Sequence, residues 1–296
     1  MDGFRREYKT RRGRLYFRPS RGEITAMIRS LLRSALVLLP VLPAATAPSA
    51  AVERGRVIAV ITEYTDFGRK VAPPSADQPA YFVAQSTGQH DFGQALAGEP
   101  TLAAPAVQPQ LAAALAAAHY LAAPAGREPT LLVIFSWGLH AQVAPDLEDP
   151  GYGNLLDRAA LVAGQKFAAE LRSVLDQYDL SVAATSQRPW GAQMPGMRPT
   201  TPAILQDGFS PLESFRRRDL LTARLLEQIS DDCYYVIVTA YDYAALARGA
   251  RRPLWRTKLS MRAQGTALPD AVAALLRQGS GYFGRDMDKP VLLGGG

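Results

Sequence analysis

The chain has 296 residues, and 48% of them are hydrophobic, which is enough for a substantial core in one large domain or two smaller ones. The formal net charge is +6, but ten of the 33 basic residues and only three of the 27 acidic ones lie in residues 1–50. The remaining 23 basic and 24 acidic residues carry a net charge of −1, so composition argues against a nucleic-acid-binding body.

Residues 27–51 have the three-part layout of a secretory signal peptide. Arg29 and Arg33 precede a short apolar stretch, and small residues follow up to a cleavage motif that ends at Ala51. The apolar stretch is too short for a transmembrane helix, and two prolines interrupt it. We therefore expect export to the periplasm or cell envelope and no transmembrane span in the mature chain. The alternatives are an uncleaved anchor and a basic arm on a cytosolic protein.

The signal peptide defines the expected domain boundaries. Residues 1–26 form either a basic disordered extension or a stretch upstream of a true start at Met27. Residues 52–296 are expected to form a single α/β domain with a helical insertion at about 150–230. The single cysteine, Cys233, excludes an intramolecular disulfide, and two flanking acids disfavour a reactive thiolate there.

The first half of this domain predicts strands at 56–63 and 80–86, an alanine-rich helix at 107–123 and an apolar strand at 130–137. A strand, a helix and a further strand in this order form one crossover unit if the two strands are parallel.

The second half begins with two long helical patterns, at 153–179 and 211–230, where Ser210 and Glu213 form a capping box. Strands at 234–243 and 252–262 then form a hairpin, and residues 268–278 form a helix. In the last strand, apolar and basic residues alternate, which predicts one buried face and one face exposed to solvent.

The elements together predict an α/β sandwich, of α+β type. Its mixed sheet has about five strands, one βαβ crossover, a C-terminal β-hairpin plus helix, and an inserted helical hairpin.

The stretch GSGYFG at 279–284 matches the G-x-G-x-x-G pattern of dinucleotide-binding proteins. In those proteins a strand precedes the glycines and a helix follows them. Here a helix precedes them, and only twelve residues follow. We therefore predict a helix stop and a turn, and no nucleotide or other cofactor.

Four segments resemble parts of bacterial cell-envelope proteins of unknown function, many of them lipoproteins. The segments are EYTDF (63–67), AALAAAHYLAA (113–123), PTLLVIFSW (129–137) and PLWRTKLSMR followed by ALPDAVAALL. The chain differs from that family by its central helices and by the lack of a lipid-acceptor cysteine. The resemblance implies an envelope location and no particular chemistry.

Three residues are candidates for a catalytic site. His90 and Asp91 follow the second strand and His140 follows the third, where open α/β sheets place ligands. The chain has neither a metal-binding spacing of histidines nor a G-x-S-x-G nucleophile motif nor a P-loop. A solvated position in a loop is the simpler interpretation of both histidines.

Two further groups are candidates for binding. The first group, on the last strand, is a basic surface formed by Arg256, Lys258 and Arg262. It could bind an anionic partner, either an envelope protein or an anionic glycan. A solvated sheet face is the simpler interpretation. The second group lies in a proline-rich loop at about 180–210 and consists of Trp190, Met194 and Met197. These side chains are either exposed and contact a partner, or packed on the neighbouring helices.

These patterns favour a non-catalytic binding or assembly module of the bacterial cell envelope. The alternative is a secreted, hydrolase-like enzyme that uses His90, Asp91 and His140 at the strand ends.

Overall fold

The computed structural model describes residues 56–93, 100–141, 152–186 and 211–294, so the predicted signal peptide lies outside it. The strands are β1 (Ile58–Tyr64), β2 (Ala80–Gln89), β3 (Tyr120–Ala122), β4 (Leu131–His140), β5 (Cys233–Asp242), β6 (Pro253–Arg262) and β7 (Val291–Leu293). The α-helices are α1 (Ala104–Ala116), α2 (Tyr152–Val162), α3 (Gly164–Ser186), α4 (Pro211–Arg216), α5 (Leu220–Ser230), α6 (Tyr243–Ala247) and α7 (Leu268–Gln278).

The strands form one mixed sheet in the order β3-β2-β4-β5-β6-β1-β7. β2 runs parallel to β3 and β4, which confirms the predicted βαβ unit through α1, and the other neighbours are antiparallel. The α/β class is correct, but the described residues contain seven strands rather than about five. The additional strands, β3 and β7, have three residues each and lie at the two edges, too short for a period-two pattern to reveal them.

Helices cover both faces of the sheet. On one face α1 and α7 pack on a core that includes Leu111, Phe135 and Leu275. On the other face the inserted helices α2, α3, α4 and α5 pack on a second core that includes Leu171 and Leu225. The insertion is therefore one layer of the domain, because it buries the face that the other two helices leave uncovered.

This second layer corrects the prediction of a solvent-exposed face on β6. Arg256 and Arg262 are exposed near the strand's ends, but Lys258 is only 4% exposed and Ser260 is fully buried. Gln228 of α5 donates a hydrogen bond of 2.9 Å to the carbonyl oxygen of Ser260. The alternation of polar and apolar residues correctly predicted which side chains share a face of the strand. The polar face, however, contacts helices where the sequence predicts solvent.

Both long helical patterns are interrupted. The pattern at 153–179 is divided at Gly164, whose φ of +91° is a left-handed conformation that favours glycine. The pattern at 211–230 is divided after Arg216, and Asp219 caps α5 by accepting the Thr222 N–H at 2.8 Å. The alanine-rich helix also ends early, at Ala116, because His119 has a φ of +64° and the chain continues into β3.

A buried ion pair holds the junction between α2 and α3. Lys258 Nζ lies 2.7 Å from Glu63 Oε2 and donates a hydrogen bond of 2.6 Å to the carbonyl oxygen of Ala160 in the last turn of α2. Glu63 Oε1 accepts the N–H of Gln165 in the first turn of α3. Each charge thus lies at the helix end whose dipole it complements. Burial lowers the pKa of Lys258, and the Glu63 carboxylate opposes that shift.

We expect Lys258→Met to lower the free energy of unfolding by about 3 kcal/mol, because it leaves the Glu63 carboxylate without its cation in a half-buried position. The double variant Glu63→Gln/Lys258→Met should lose less than the sum of the two single variants. Urea unfolding measures both effects.

Arg262→Met on the same strand is the matched control, because the side chains of the Arg262–Asp231 pair are 49% and 44% exposed. This change should cost under about 1 kcal/mol. Equal losses for Lys258→Met and Arg262→Met would contradict a stabilising role for the buried pair.

Candidate functional site

Two adjoining cavities lie at one end of the sheet, with volumes of about 440 and 600 Å³. We call them the first and the second cavity, and together the aromatic groove. Both are lined by Tyr64, Val71, Pro73, Pro74 and Tyr120. Trp255 lines the first cavity only, and Arg69, Phe283 and Asp286 line the second.

Strand ends position the aromatic residues of the groove. Tyr64 is the last residue of β1 and pairs in register with Trp255 near the start of β6, while Tyr120 is the first residue of β3. The rings of Tyr120 and Trp255 are 5.4 Å apart. All three residues pack on the first core, so the groove is formed by the edge of that core.

Thr65 fixes the segment that follows β1 over the groove. Its N–H donates to the Leu254 carbonyl oxygen at 3.0 Å, and its hydroxyl donates to the Pro253 carbonyl oxygen at 2.7 Å. The same hydroxyl oxygen accepts the Gly68 N–H at 3.0 Å and so starts a short 3₁₀ turn. The chain then enters the segment with Val71, Pro73 and Pro74 at the mouth of the groove.

The polar atoms of the aromatic residues lie next to one another. The Tyr120 hydroxyl interacts with both the Trp255 indole and the Tyr64 hydroxyl. Tyr64 in turn donates to the Gly284 carbonyl oxygen at 2.5 Å. Burial raises the pKa of both tyrosines, so their hydroxyls are neutral at pH 7 and fix the positions of the rings.

The close packing of Tyr64 and Tyr120 explains the last glycine of GSGYFG. Gly284 has a φ of +62°, and a Cβ atom there would lie 1.8 Å from the Tyr120 hydroxyl oxygen. Gly279 is the C-terminal cap of α7, and a 3₁₀ turn at Ser280–Tyr282 follows it. The predicted helix stop and turn are confirmed, and the turn also presents the carbonyl group that anchors Tyr64.

We expect Gly284→Ala to lower the free energy of unfolding by about 2 kcal/mol or more, because the new methyl group overlaps Tyr120 and the backbone conformation is strained. Gly281→Ala in the same motif is the control, since no atom lies within 4 Å of its added Cβ. Thermal unfolding of both variants measures the difference. A neutral Gly284→Ala would contradict the close packing of Tyr120 on this turn.

The three candidate catalytic residues lie at the opposite end of the sheet. The main chain brings them near one another, because the His90 N–H donates to the Trp137 carbonyl oxygen of β4 at 2.8 Å. Asp91 has a structural role: Oδ1 accepts the Leu139 N–H at 2.8 Å, and Oδ2 accepts Gln89 Nε2 at 2.9 Å. The His90 side chain is exposed, and its carbonyl oxygen accepts the Tyr235 hydroxyl.

His140 belongs to a different set of neighbours. Its ring is 7% exposed and stacks on Phe92 with 5.3 Å between centroids, and Cys233 is its partner across the β4–β5 pair. Burial, followed by the positive charge of Arg158, lowers the pKa of His140 to about 4. Burial likewise raises the pKa of Cys233 to about 12, so its thiol is inert at neutral pH. The charges that act on His140 are those of Arg158 and Asp232.

The lowered pKa of His140 predicts a loss of stability in acid. As the pH falls from 6.5 to about 4, the unfolded chain takes up a proton that the folded state does not, so the free energy of unfolding falls by up to about 3 kcal/mol. His140→Gln should remove this part of the pH dependence, whereas His90→Gln, at an exposed position, should keep it. Urea unfolding at pH 7, 5.5 and 4.5 gives the comparison, and equal slopes for the two variants would contradict it.

The three basic residues predicted to form a binding surface have different environments. Lys258 is buried with Glu63, as described above. Arg256 Nε donates to Thr239 Oγ1 at 3.1 Å, and Arg262 forms an exposed ion pair with Asp231. Arg256 and Arg262 remain accessible near the two ends of β6, so the three residues do not form one continuous basic surface.

The other predicted binding residues, Trp190, Met194 and Met197, lie outside the described residues. Within the described part of the chain, no group of three or more His, Cys, Asp or Glu side chains is arranged to hold a metal ion. None of the described helices is both long and apolar enough to cross a membrane.

No protein-family model matches the chain, and no curated protein is similar to it. The functional interpretation therefore depends on the geometry of the site. Sequence reasoning missed Tyr64, Tyr120 and Trp255 as site residues, because they are far apart in the chain and look like ordinary core aromatics. The one available signal was the alternation of apolar residues in the two strands. Aligning β1 with β6 by this alternation would have placed Tyr64 beside Trp255.

Proposed function

We propose that this chain is a non-catalytic binding module exported to the bacterial periplasm or cell envelope, and that the aromatic groove is its binding site. The observation that carries this proposal is the packed set of three aromatic residues at the edge of the cavities: Tyr64 paired in register with Trp255, Tyr120 with its ring 5.4 Å from that of Trp255, and the Tyr64 hydroxyl donating to the Gly284 carbonyl oxygen. This packing holds the three rings in place beside the cavities.

The dimensions of the groove support binding of a small molecule. Cavities of about 300–1,000 Å³ with a mostly apolar lining and a few polar groups are typical of ligand sites. The first cavity has a volume of about 440 Å³ and is lined by aromatic, proline and aliphatic residues together with two acids. Because the rings are held in place before a ligand arrives, binding costs little ordering of side chains.

The alternative of a secreted hydrolase gains no support from the strand-end residues. A general base must be free to accept a proton, but both oxygens of Asp91 accept structural hydrogen bonds. His140 is covered by Phe92 and faces the positive charge of Arg158, which disfavours the imidazolium form needed in an acid–base cycle.

Export is supported by the signal-peptide layout of residues 27–51. The proposal is tested on protein purified from fractionated bacterial cells that express the full chain with a C-terminal tag. Mass spectrometry of the N-terminus should show cleavage after Ala51 in the periplasmic or envelope fraction. Recovery of the intact N-terminus from the cytosol would overturn the envelope role.

The processed protein is then screened by NMR against fragments of positive, neutral and negative charge. Ligands should shift the Trp255 indole N–H and the backbone resonances of Tyr64 and Tyr120, while those of His90 and His140 stay unchanged. Hits confined to the His90–His140 end, together with hydrolysis of a reporter ester that His140→Gln abolishes, would favour the enzyme instead.

A further inference from the structure

We propose that the first cavity of the aromatic groove takes a small organic cation, an amine or quaternary ammonium with an apolar body. This inference depends on the proposed function and specifies its ligand class. It is carried by the charges and rings that line the cavity.

The lining of the first cavity is acidic. Among the described residues that line it, Glu128 and Asp242 carry carboxylates, and there is no Lys, Arg or His. Asp242 is half-buried, and its Oδ1 accepts the Ala245 N–H at 2.9 Å, which fixes the carboxylate at the start of α6. Glu128 is exposed and lies in the segment just before β4. A ligand anion would meet negative charge here without a cation to balance it.

Three nearby arginines contact other groups. Arg127, next to Glu128 in sequence, has its guanidinium 3.6 Å from the centre of the Tyr81 ring. Arg252 lies 5.0 Å from the centre of the Phe67 ring. Arg69, which lines the second cavity and not the first, pairs with Asp286 at 2.9 Å and with Asp66 at 3.4 Å. Arg285, which also lines the second cavity, has its guanidinium 5.8 Å from the centre of the Tyr282 ring. None of these four arginines lines the first cavity.

Aromatic rings add an attraction for the same kind of ligand. Tyr64, Tyr120 and Trp255 all line the cavity, but Tyr120 and Trp255 are only 3% and 2% exposed and form its wall, while Tyr64 is half-buried. Tyr64 therefore presents the most accessible π system to a ligand, and π systems attract ammonium groups. Val71, Leu131 and Leu254 supply apolar surface for the body of the ligand. Carboxylates, rings and aliphatic groups together match an amine rather than an anion.

The test uses three probes of similar shape and different charge: benzylammonium, benzyl alcohol and benzoate. Binding is followed by NMR titration of the Trp255 indole N–H in the wild-type protein. We expect benzylammonium to bind about threefold to tenfold more tightly than benzyl alcohol, and benzoate to bind most weakly. Tetramethylammonium, which lacks the ring, should produce shifts at the same residues.

Two variants test whether the carboxylates that line the first cavity cause the preference for benzylammonium. Glu128→Gln and Asp242→Asn should each weaken benzylammonium by about threefold and leave benzyl alcohol unchanged. Asparagine at 242 keeps an oxygen for the Ala245 N–H, so the cap of α6 is preserved. Asp77→Asn is the matched control, because Asp77 is an exposed carboxylate that lines neither cavity, in the segment between β1 and β2 that also carries Val71, Pro73 and Pro74.

The outcomes separate this inference from the proposed function. Equal affinities for benzylammonium and benzyl alcohol, or tighter binding of benzoate, would overturn the cation inference while the groove remained a binding site. An equal loss in Asp77→Asn would overturn the roles of Glu128 and Asp242 and the inference with them. If fragments of every charge leave the groove residues unshifted, both proposals fail.

Discussion

The register between β1 and β6 is the constraint on which both the buried ion pair and the aromatic groove depend. Successive residues of a strand point to opposite faces, so Glu63 lies under the inserted helices while Tyr64 lies on the side of α1 and α7. Glu63 joins Lys258 at the α2–α3 junction, and Tyr64 joins Trp255 in the groove. A slip of one residue would exchange the two faces and put a carboxylate into the aromatic site. The Thr62–Thr257 hydroxyl pair, at 2.7 Å, lies directly opposite in this register and helps to fix it.

The helices and strands that could be predicted are those whose ends are marked by residues close by in the sequence. The helix at 268–278 has the predicted bounds, because Pro269 and Gly279 mark its ends. The last long strand begins one residue later than predicted, at Pro253, and ends as predicted at Arg262, because clean alternation defines it. The break at Gly164 was hidden, since apolar residues keep helical spacing on both sides of it. The Glu63 carboxylate that accepts the Gln165 N–H just after the break is about a hundred residues away in sequence, so no local window contains both partners.

The site was less predictable than the fold, because polarity alone is a poor guide to exposure. Lys258 resembles a surface residue in the sequence but is one of the most buried charges of the described chain, and the carboxylate that explains its burial is on another strand. Tyr64 and Trp255 resemble core residues but border a cavity. In both cases the assignment depends on which strands are neighbours, and strand order is a property of the complete sheet.

The position of the groove also shows why the strand-end rule pointed to the other end of the sheet. Ligands in open parallel sheets lie beyond the carboxyl ends of the strands, which here would be His90 and His140. This sheet is parallel only among β3, β2 and β4, and the antiparallel β1 and β5 bring their own carboxyl ends, at Tyr64 and Asp242, to the amino ends of those three strands. The groove forms where these two sets of strand ends meet. At the other end, main-chain hydrogen bonds and the Asp91 carboxylate join the chain after β2 to β4. The polar groups at that end therefore hold the two strands together.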